Sequence, residues 1–316
     1  MFDRQELLAA LAAHGRVVRV VIAEVQGSSP REVGASMLVW EDGQSGGQSG
    51  TIGGGALEHL ATGWAHEMLT TGQALRFDRV PLGPGIGQCC GGAVALLSEV
   101  FVAGATVPED VLARPVRGAG DMPLAVKRLI AMRRGQGVAP VAQLVQGWFV
   151  EPVATPTRQI WIWGAGHVGR ALVSVLAPLP DLAITWIDTA PERFPDVIPA
   201  GVTAVPVADP TALVAHAPRG AEHLVMTYSH AMDLELCHRI LAHGFGRLGV
   251  IGSATKAARF RARLHGLGHL PQDVARIACP IGDKRLGKHP QAIALGVATA
   301  LLTQNEKEKN RGEMAG

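Results

Sequence analysis

A glycine fingerprint in the middle of the chain restricts the possible folds more than any other feature. The apolar run 161–163 ends in the pattern G-x-G-x-x-G, whose glycines are Gly164, Gly166 and Gly169. An apolar, helix-compatible segment follows, and a second apolar run ends at Asp188, 19 residues after Gly169. This order is typical of a dinucleotide-binding βαβ unit, in which glycines allow backbone N–H groups at a helix N-terminus to approach an anionic ligand.

The part of the chain after residue 155 alternates between strand and helix patterns. Such alternation predicts an α/β fold with a Rossmann-like, doubly wound parallel sheet and helices on both faces. We predict a Rossmann-like domain at 156–304 and a disordered, solvated tail at 305–316. Strands are predicted at 159–163, 183–188, 202–207, 223–227 and 247–251, and helices at 167–176, 210–216, 232–243, 255–266 and 290–302.

The first 155 residues show a mixed pattern that predicts a smaller α+β N-terminal domain at 1–155. A loop rich in glycine, serine and glutamine is predicted at 42–50, and a long connection rich in proline, glycine and alanine begins near 104. Strands are predicted at 17–25, 35–40, 74–80 and 93–103, with two more near Val141 and Trp148, and helices at 1–13, 56–69 and 124–134.

Composition excludes several functional classes. The net charge of +2 and an aromatic content of 4% argue against a nucleic-acid partner. The sequence contains no uninterrupted apolar stretch of membrane-spanning length, and its start does not resemble a signal peptide. Its four cysteines include no C-x-x-C pair. We therefore expect a reduced, cytoplasmic protein with no membrane partner.

Two N-terminal segments have the composition of anion sites. A glycine triplet precedes the helix 56–69 and can expose N–H donors to a phosphate, although a tight strand-to-helix turn is the alternative. The turn 28–31 carries two hydroxyls and a guanidinium, which suits a planar anion, although an ordinary turn with an exposed cation explains it equally. The candidate residues are Gly53, Gly54, Gly55, Ser28, Ser29 and Arg31.

A glycine-rich loop contains two adjacent cysteines. Cys89 and Cys90 follow Gln88 and precede Gly91 and Gly92. Amides freed by glycine favour the thiolate, which is a nucleophile and a soft-metal ligand, and Gln88 can donate to an oxo group or a pterin edge. The alternative is that one cysteine is buried as a small apolar residue.

Polar residues near the Rossmann fingerprint extend the candidate site. His167 lies inside the fingerprint and can contact a phosphate or the other domain. His230 follows a predicted strand at the edge that faces the ligand crevice, so it is a binding candidate, or a surface residue behind a capping serine. Asp188 suits a ribose hydroxyl and favours NAD over NADP. Lys256 and the arginines after it are predicted to form a solvated helix face.

Seven segments in this order resemble the XdhC/CoxI family, the xanthine dehydrogenase accessory proteins. The resemblance extends from about residue 17 to residue 302. The matching segments are 27–31, 50–55, 88–92, 163–169, 187–188 followed by 193–194, 251–253, and 280–282 with the helix 289–302.

The resemblance implies a molybdenum cofactor chaperone without turnover of its own. Such a protein binds the molybdopterin form of the cofactor, protects it, presents it to a cysteine desulfurase for exchange of an oxo ligand for a sulfido ligand, and hands it to apo-xanthine dehydrogenase. It also implies self-association, with a dimer as our expectation. The glycine loops would hold the phosphate, Gln88 and Ser29 would meet the pterin or oxo ligands, and Cys89 or Cys90 would approach the molybdenum or its sulfur.

Two other functions fit the same residues. An NAD-dependent oxidoreductase would use the Rossmann domain for its cofactor and the N-terminal domain for its substrate. A regulatory or scaffolding protein would keep the fold without the ligand.

Overall fold

A computed structural model of the chain describes residues 2–43, 46–83, 91–116, 120–179 and 181–313, with side chains as far as residue 303. The chain divides into two compact units, Met1–Thr155 and Pro156–Gly316. The predicted site residues Gln88, Cys89 and Cys90 lie outside the described residues.

The N-terminal unit contains two antiparallel sheets and three helices among its described residues. Its elements are α1 (Arg4–His14), β1 (Arg16–Gln26), β2 (Ser36–Trp40), β3 (Gly47–Gly50), α2 (Gly55–Thr71), β4 (Leu75–Pro81), β5 (Ala93–Val102), β6 (Val111–Pro115), α3 (Leu124–Gln136), β7 (Gln143–Val145) and β8 (Trp148–Pro152). The larger sheet has the strand order β3-β2-β1-β5-β4, and the smaller has the order β6-β8-β7.

The central strand β1 is buried on both of its faces, which explains why its buried residues are apolar on both faces apart from Arg19. Val18 and Ile22 on one face belong to the same apolar cluster as Leu57 and Met68 of α2. On the other face, Val21 clusters with residues of β5 and of the smaller sheet. The two sheets and α2 therefore enclose β1 as the middle of the core.

A buried ionic network joins the two sheets. Glu151 of β8 accepts two hydrogen bonds from Arg19 of β1, at 2.7 and 2.9 Å. Arg114 of β6 lies 2.6 Å from Glu151 and donates to Glu99 of β5 at 2.6 Å. Burial raises the pKa of the Glu151 carboxyl, but the two guanidinium charges outweigh burial and hold this pKa below its usual value. The sequence analysis did not identify this network.

The C-terminal unit is a six-stranded, all-parallel sheet with helices on both faces. Its elements are β9 (Arg158–Trp163), α4 (His167–Leu176), β10 (Leu182–Asp188), β11 (Val202–Pro206), β12 (Glu222–Val225), α5 (His230–His243), β13 (Arg247–Val250), α6 (Ala254–Gly266), α7 (Pro271–Val274), β14 (Ile277–Ala278) and α8 (Pro290–Glu313). The strand order β11-β10-β9-β12-β13-β14 is the Rossmann order 3-2-1-4-5-6. The predicted fold class is confirmed.

Two strands lie where the sequence analysis predicts only loop. Strand β3 falls within the predicted loop 42–50, and β6 falls within the connection predicted from residue 104. Both predictions were wrong because neither strand has an apolar period. Strand β3 is an edge strand of glycine and polar residues held by pairing with β2, and β6 is held by pairing with β8.

Three further differences concern the C-terminal unit. The segment Pro210–His216 is a 3-10 helix rather than an α-helix, and the short elements α7 and β14 were not predicted. Helix α8 continues to Glu313, so the predicted disordered tail at 305–316 is helical through that residue. Extending a helix that is already packed requires no new nucleation, and the Glu- and Lys-rich composition favours helix. Within the described residues, no helix is long and apolar enough to span a membrane.

Candidate functional site

The glycine loop of the C-terminal unit lies between β9 and α4, at the carboxyl edge of the sheet. A Cβ atom on Gly169 would collide with the carbonyl oxygen of Gly164, so glycine permits the helix to pack directly on the loop. Trp186 Nε1 donates to the same carbonyl at 3.1 Å. Helix α4 begins at His167 after the N-cap Gly166, with no side-chain cap. Its first-turn N–H groups are therefore available to an anion.

The carboxylate of Asp188 is turned into the protein. Asp188 is 4% exposed, and its Oδ2 accepts a hydrogen bond from the N–H of Ala165 at 2.6 Å. Its Oδ1 accepts hydrogen bonds from the N–H and the hydroxyl of Thr189, at 2.6 and 3.1 Å. Both oxygens therefore stabilise the glycine loop and the end of β10. The sequence pattern predicted that these oxygens contact a ribose, but in the structure they accept hydrogen bonds from within the chain.

A cation–aromatic contact lies across the end of the central strand. Arg193, which follows β10, places its guanidinium carbon 4.9 Å from the ring centroid of Tyr228, which follows β12. Arg193 Nε also lies 3.4 Å from Asp188 Oδ1. Because β9 lies between β10 and β12, this contact crosses the edge at which the glycine loop begins. Tyr228 is 65% exposed, so its ring is accessible to a planar ligand.

A buried ion pair lies near the carboxyl ends of β12 and β13. Lys256 Nζ donates to Asp233 Oδ2 at 2.5 Å and to the carbonyl of Ile251 at 2.9 Å. The N–H and the hydroxyl of Thr227 donate to Asp233 Oδ1 at 3.1 and 2.7 Å. Asp233 is 0% exposed and Lys256 is 9% exposed.

The prediction of a solvated helix face was therefore wrong for Lys256. This residue lies in the first turn of α6, and helical side chains lean towards the N-terminus, so its chain reaches back to the sheet edge. Gly252 leaves space for it, since a Cβ there would lie 2.6 Å from the Lys256 side chain. Two features of the sequence signalled this contact: Lys256 follows a strand end, and Asp233 lies in the preceding helix.

His230 lies at the same sheet edge as the first residue of α5, and its side chain is exposed. Ser229 caps this helix, because its hydroxyl accepts a hydrogen bond from the N–H of Met232 at 3.3 Å. This geometry matches the second interpretation, a surface histidine behind a capping serine. The exposed side chain of His230 remains accessible to a ligand at the sheet edge.

Three glycine-containing segments of the N-terminal unit lie together. A Cβ atom on Gly27 would lie 3.2 Å from the Cα of Gly92, and one on Gly92 would collide with the carbonyl oxygen of Ser28. A Cβ atom on Gly53 would lie 2.7 Å from the Pro30 side chain. The turn 28–31, the glycine triplet 53–55 and the described pair Gly91 and Gly92 thus converge on one end of the larger sheet.

An internal carboxylate already accepts hydrogen bonds from the loop that contains the glycine triplet. Glu58 Oε2 accepts hydrogen bonds from the N–H groups of Ile52 and Gly54, at 3.1 and 3.0 Å, and from the hydroxyl of Thr51. Burial raises the pKa of Glu58, but hydrogen bonds from Thr51, Gln48 and the loop amides outweigh burial and hold this pKa below its usual value. Gly55, the first residue of α2, remains exposed.

Arg31 is partly neutralised by its neighbour. Its guanidinium donates two hydrogen bonds to Glu32, at 3.1 and 3.0 Å, and this contact lowers the pKa of Glu32 to about 2. The Ser29 hydroxyl donates to the carbonyl of Arg31 at 2.8 Å, and Ser28 is exposed. A planar anion at this turn would compete with Glu32 for the guanidinium.

Two cysteines lie in the described part of the C-terminal unit. Cys237 is fully buried in the core, and burial raises the pKa of its thiol. Burial also raises the pKa of the half-buried Cys279. Among the described residues, no group of three histidine, cysteine, aspartate or glutamate side chains is placed to hold a metal ion.

Two family models match the sequence. The model of the XdhC and CoxI family matches residues 10–78, and the model of the XdhC Rossmann domain matches residues 160–301. Together the two matches cover more than half of the chain. No curated protein matches the sequence significantly.

Solved structures support the fold. The crystal structure of a xanthine dehydrogenase from Bacillus halodurans is 20% identical in sequence and has a TM-score of 0.67, over 97% of this chain and 96% of that chain. A myo-inositol dehydrogenase from Corynebacterium glutamicum is 15% identical, with a TM-score of 0.29 over 38% of this chain and 35% of its own. The first of these shows a shared fold over both units, and the second carries no further conclusion.

Proposed function

The chain belongs to the XdhC/CoxI family of xanthine dehydrogenase accessory proteins, and from this premise we propose that it binds the molybdenum cofactor in its molybdopterin form and delivers it to that enzyme. Family membership supports a role in xanthine dehydrogenase maturation. Our proposal adds that the protein protects the cofactor, supports its sulfuration by a cysteine desulfurase, and inserts it into apo-xanthine dehydrogenase. The protein itself acts as a chaperone and not as an enzyme.

The uncapped start of α4 is the observation that carries the proposal. Molybdopterin has a phosphate, a hydrogen-bonding pterin and a dithiolene that holds the metal. The first-turn amides after Gly166 suit the phosphate, and Asp188, the acid nearest the loop, is turned inwards and accepts from Ala165. Arg193 supplies a cation at the same edge, and the exposed ring of Tyr228 suits a flat pterin.

In the N-terminal unit, the proposal concerns the two cysteines. Gly91 and Gly92, which follow the two cysteines in sequence, lie against the turn that carries Ser28. We propose that Cys89 or Cys90 contacts the molybdenum or its sulfur. The bound group would supply the redox-active metal centre of the target enzyme, while the chain's own residues bind it and exclude water.

The remaining parts of the proposal concern assembly. We propose that the protein works in the cytoplasm as a homo-oligomer, with a dimer as the simplest form. Its protein partners would be the molybdenum subunit of xanthine dehydrogenase and a cysteine desulfurase. Anaerobic co-purification of the chain with each partner tests this part, because both a sulfido ligand and free thiols oxidise in air.

Binding of molybdopterin by anaerobic equilibrium dialysis tests the central claim. We expect saturable binding to the full chain, and about tenfold weaker binding in Arg193→Gln because a charge-assisted hydrogen bond is lost. Arg259→Gln, a change to an exposed arginine on α6, is the matched control and should bind as the wild type does. Absence of binding by the wild type would contradict the proposal.

Single replacements test the cysteines separately. Cys89→Ala and Cys90→Ala should differ from the wild type in bound molybdopterin or in activation of apo-xanthine dehydrogenase for at least one of the two. Unchanged binding and unchanged activation in both variants would remove the cysteines from the proposal. The same dialysis with NAD tests the oxidoreductase alternative, which requires NAD binding together with hydride transfer. No structural observation favours that alternative, because Asp188 is engaged within the chain.

A further inference from the structure

A cavity in the C-terminal unit lies beside α4, where the residues that begin α8 approach that helix. The side chains of His167, Arg170 and Ser174 line it from α4, and His289 and Gln291 line it from the start of α8. Neither family match nor the proposed function assigns a role to Arg170, Ser174, His289 or Gln291.

The lining of this cavity carries one permanent positive charge and several hydrogen-bond donors. Arg170 contributes a permanent cation, and His167 and His289 are exposed imidazoles. The described residues that line the cavity include no aspartate or glutamate. Among the described lining residues, no carboxylate therefore faces Arg170, His167 or His289.

Arg170 is fixed in place without being neutralised. Its Nε donates to the carbonyl of Ala165 at 3.1 Å, and one terminal nitrogen donates to the carbonyl of Arg193 at 2.7 Å. Within the described part of the chain, Arg170 has no ion-pair partner. A guanidinium held by two backbone carbonyls keeps its full charge and has donors left for a ligand.

The donor at His289 is also oriented. Its Nδ1 accepts a hydrogen bond from the N–H of Gln291 at 3.4 Å, so the proton of the neutral ring is on Nε2. The exposed hydroxyl of Ser174 and the amide of Gln291 add further donors. Helices α4 and α8 both begin here, and their dipoles add positive potential.

We propose that this cavity binds a phosphoryl group through the side chains that line it. A phosphoryl group offers three acceptor oxygens, and the guanidinium, the two imidazoles and the hydroxyl meet it as donors. The phosphoryl group belongs to a phosphomonoester or to a diphosphate, and both have this chemistry. Binding of a phosphoryl group in this cavity does not require molybdopterin, so it goes beyond the proposed function.

Calorimetric titration of the full chain with inorganic phosphate and with inorganic pyrophosphate tests the proposal. We expect saturable binding of at least one of them, with one site per chain at this cavity. His289→Gln and Arg170→Gln should each weaken it about tenfold, since each removes a donor to a charged group. His289 is exposed, so its replacement leaves the fold intact, and Arg259→Gln is the control with unchanged affinity.

The outcomes separate the sites and the ligand sources. Tighter binding of phosphate indicates a monoester, and tighter binding of pyrophosphate indicates a diphosphate. Either result supports phosphoryl binding in the cavity. Binding that Arg193→Gln weakens but His289→Gln leaves unchanged places the anion at the glycine loop and overturns the proposal. Absence of saturable binding by the wild type also overturns it, whatever the chain does with molybdopterin.

Discussion

Replacement of Asp188 by asparagine removes the acid that holds the glycine loop of the C-terminal unit. The side chain keeps one acceptor oxygen, but its NH₂ group then faces the N–H of either Ala165 or Thr189. A hydrogen bond to a charged group contributes about 1.5–3 kcal/mol, and an unsatisfied buried donor costs about 1–3 kcal/mol. Because these two contributions overlap, we expect Asp188→Asn to lower the free energy of unfolding by about 2–4 kcal/mol.

Urea unfolding with hydrogen exchange by mass spectrometry measures this loss in the C-terminal unit alone. Trp186 provides a fluorescence probe close to the loop, since its indole donates to Gly164. Asp196→Asn is the matched control, because Asp196 is exposed on the same unit and its replacement should change stability by less than about 0.5 kcal/mol.

NAD dialysis of the same variant distinguishes the two uses of the acid. If Asp188→Asn were as stable as Asp196→Asn but lost a measurable affinity for NAD, the carboxylate would serve a ribose. The internal hydrogen bonds would then be incidental, and the oxidoreductase function would replace the chaperone function. Loss of stability without any NAD binding by the wild type is the result that our interpretation requires.

Three further changes test other parts of the structure. Glu151→Gln should destabilise the N-terminal unit by about 3–5 kcal/mol in urea unfolding, because it leaves buried guanidinium charge without its partner, whereas the exposed Glu109→Gln should cost less than about 1 kcal/mol. Burial lowers the pKa of His223 from its usual 6.5 to about 4, so between these values the unfolded chain binds a proton that the native chain does not. Stability should therefore fall by about 3 kcal/mol as the pH drops from 6.5 to 4, and His223→Gln should abolish this part of the pH dependence. Lys256→Met leaves the Asp233 charge buried and should lower the melting temperature, with a loss of about 3–5 kcal/mol measured by calorimetry.

The Rossmann half could be predicted from the sequence because its signals are local. Each buried parallel strand is an apolar run, each helix has its own period, and the glycine fingerprint marks the first turn. Strands β3 and β6 carry no such signal. Their stability comes from pairing with β2 and β8, and the sequence does not show which distant segment supplies a partner.

Side-chain direction at the site could not be predicted in the same way. Asp188 occupies the expected position at the end of β10, but the rotamer that turns it towards Ala165 depends on how the glycine loop packs. Lys256 belongs by composition to a row of surface cations. It is buried because Asp233, in the first turn of α5, offers a carboxylate at 2.5 Å. Sequence spacing predicts which side chains lie near the edge of the sheet. Which partner each side chain contacts depends on how the elements pack.

The two glycine loops, similar in composition, differ in what remains for a ligand. In the N-terminal unit, the Glu58 carboxylate accepts from two loop amides, those of Ile52 and Gly54, and would repel a second anion at the start of α2. In the C-terminal unit, Asp188 takes the amide of Ala165, which precedes the N-cap, and leaves the first turn of α4 without a side-chain cap. We therefore expect a phosphate to bind in the C-terminal unit rather than at the start of α2. The N-terminal glycines serve instead to let Gly92 pack against the turn that carries Ser28.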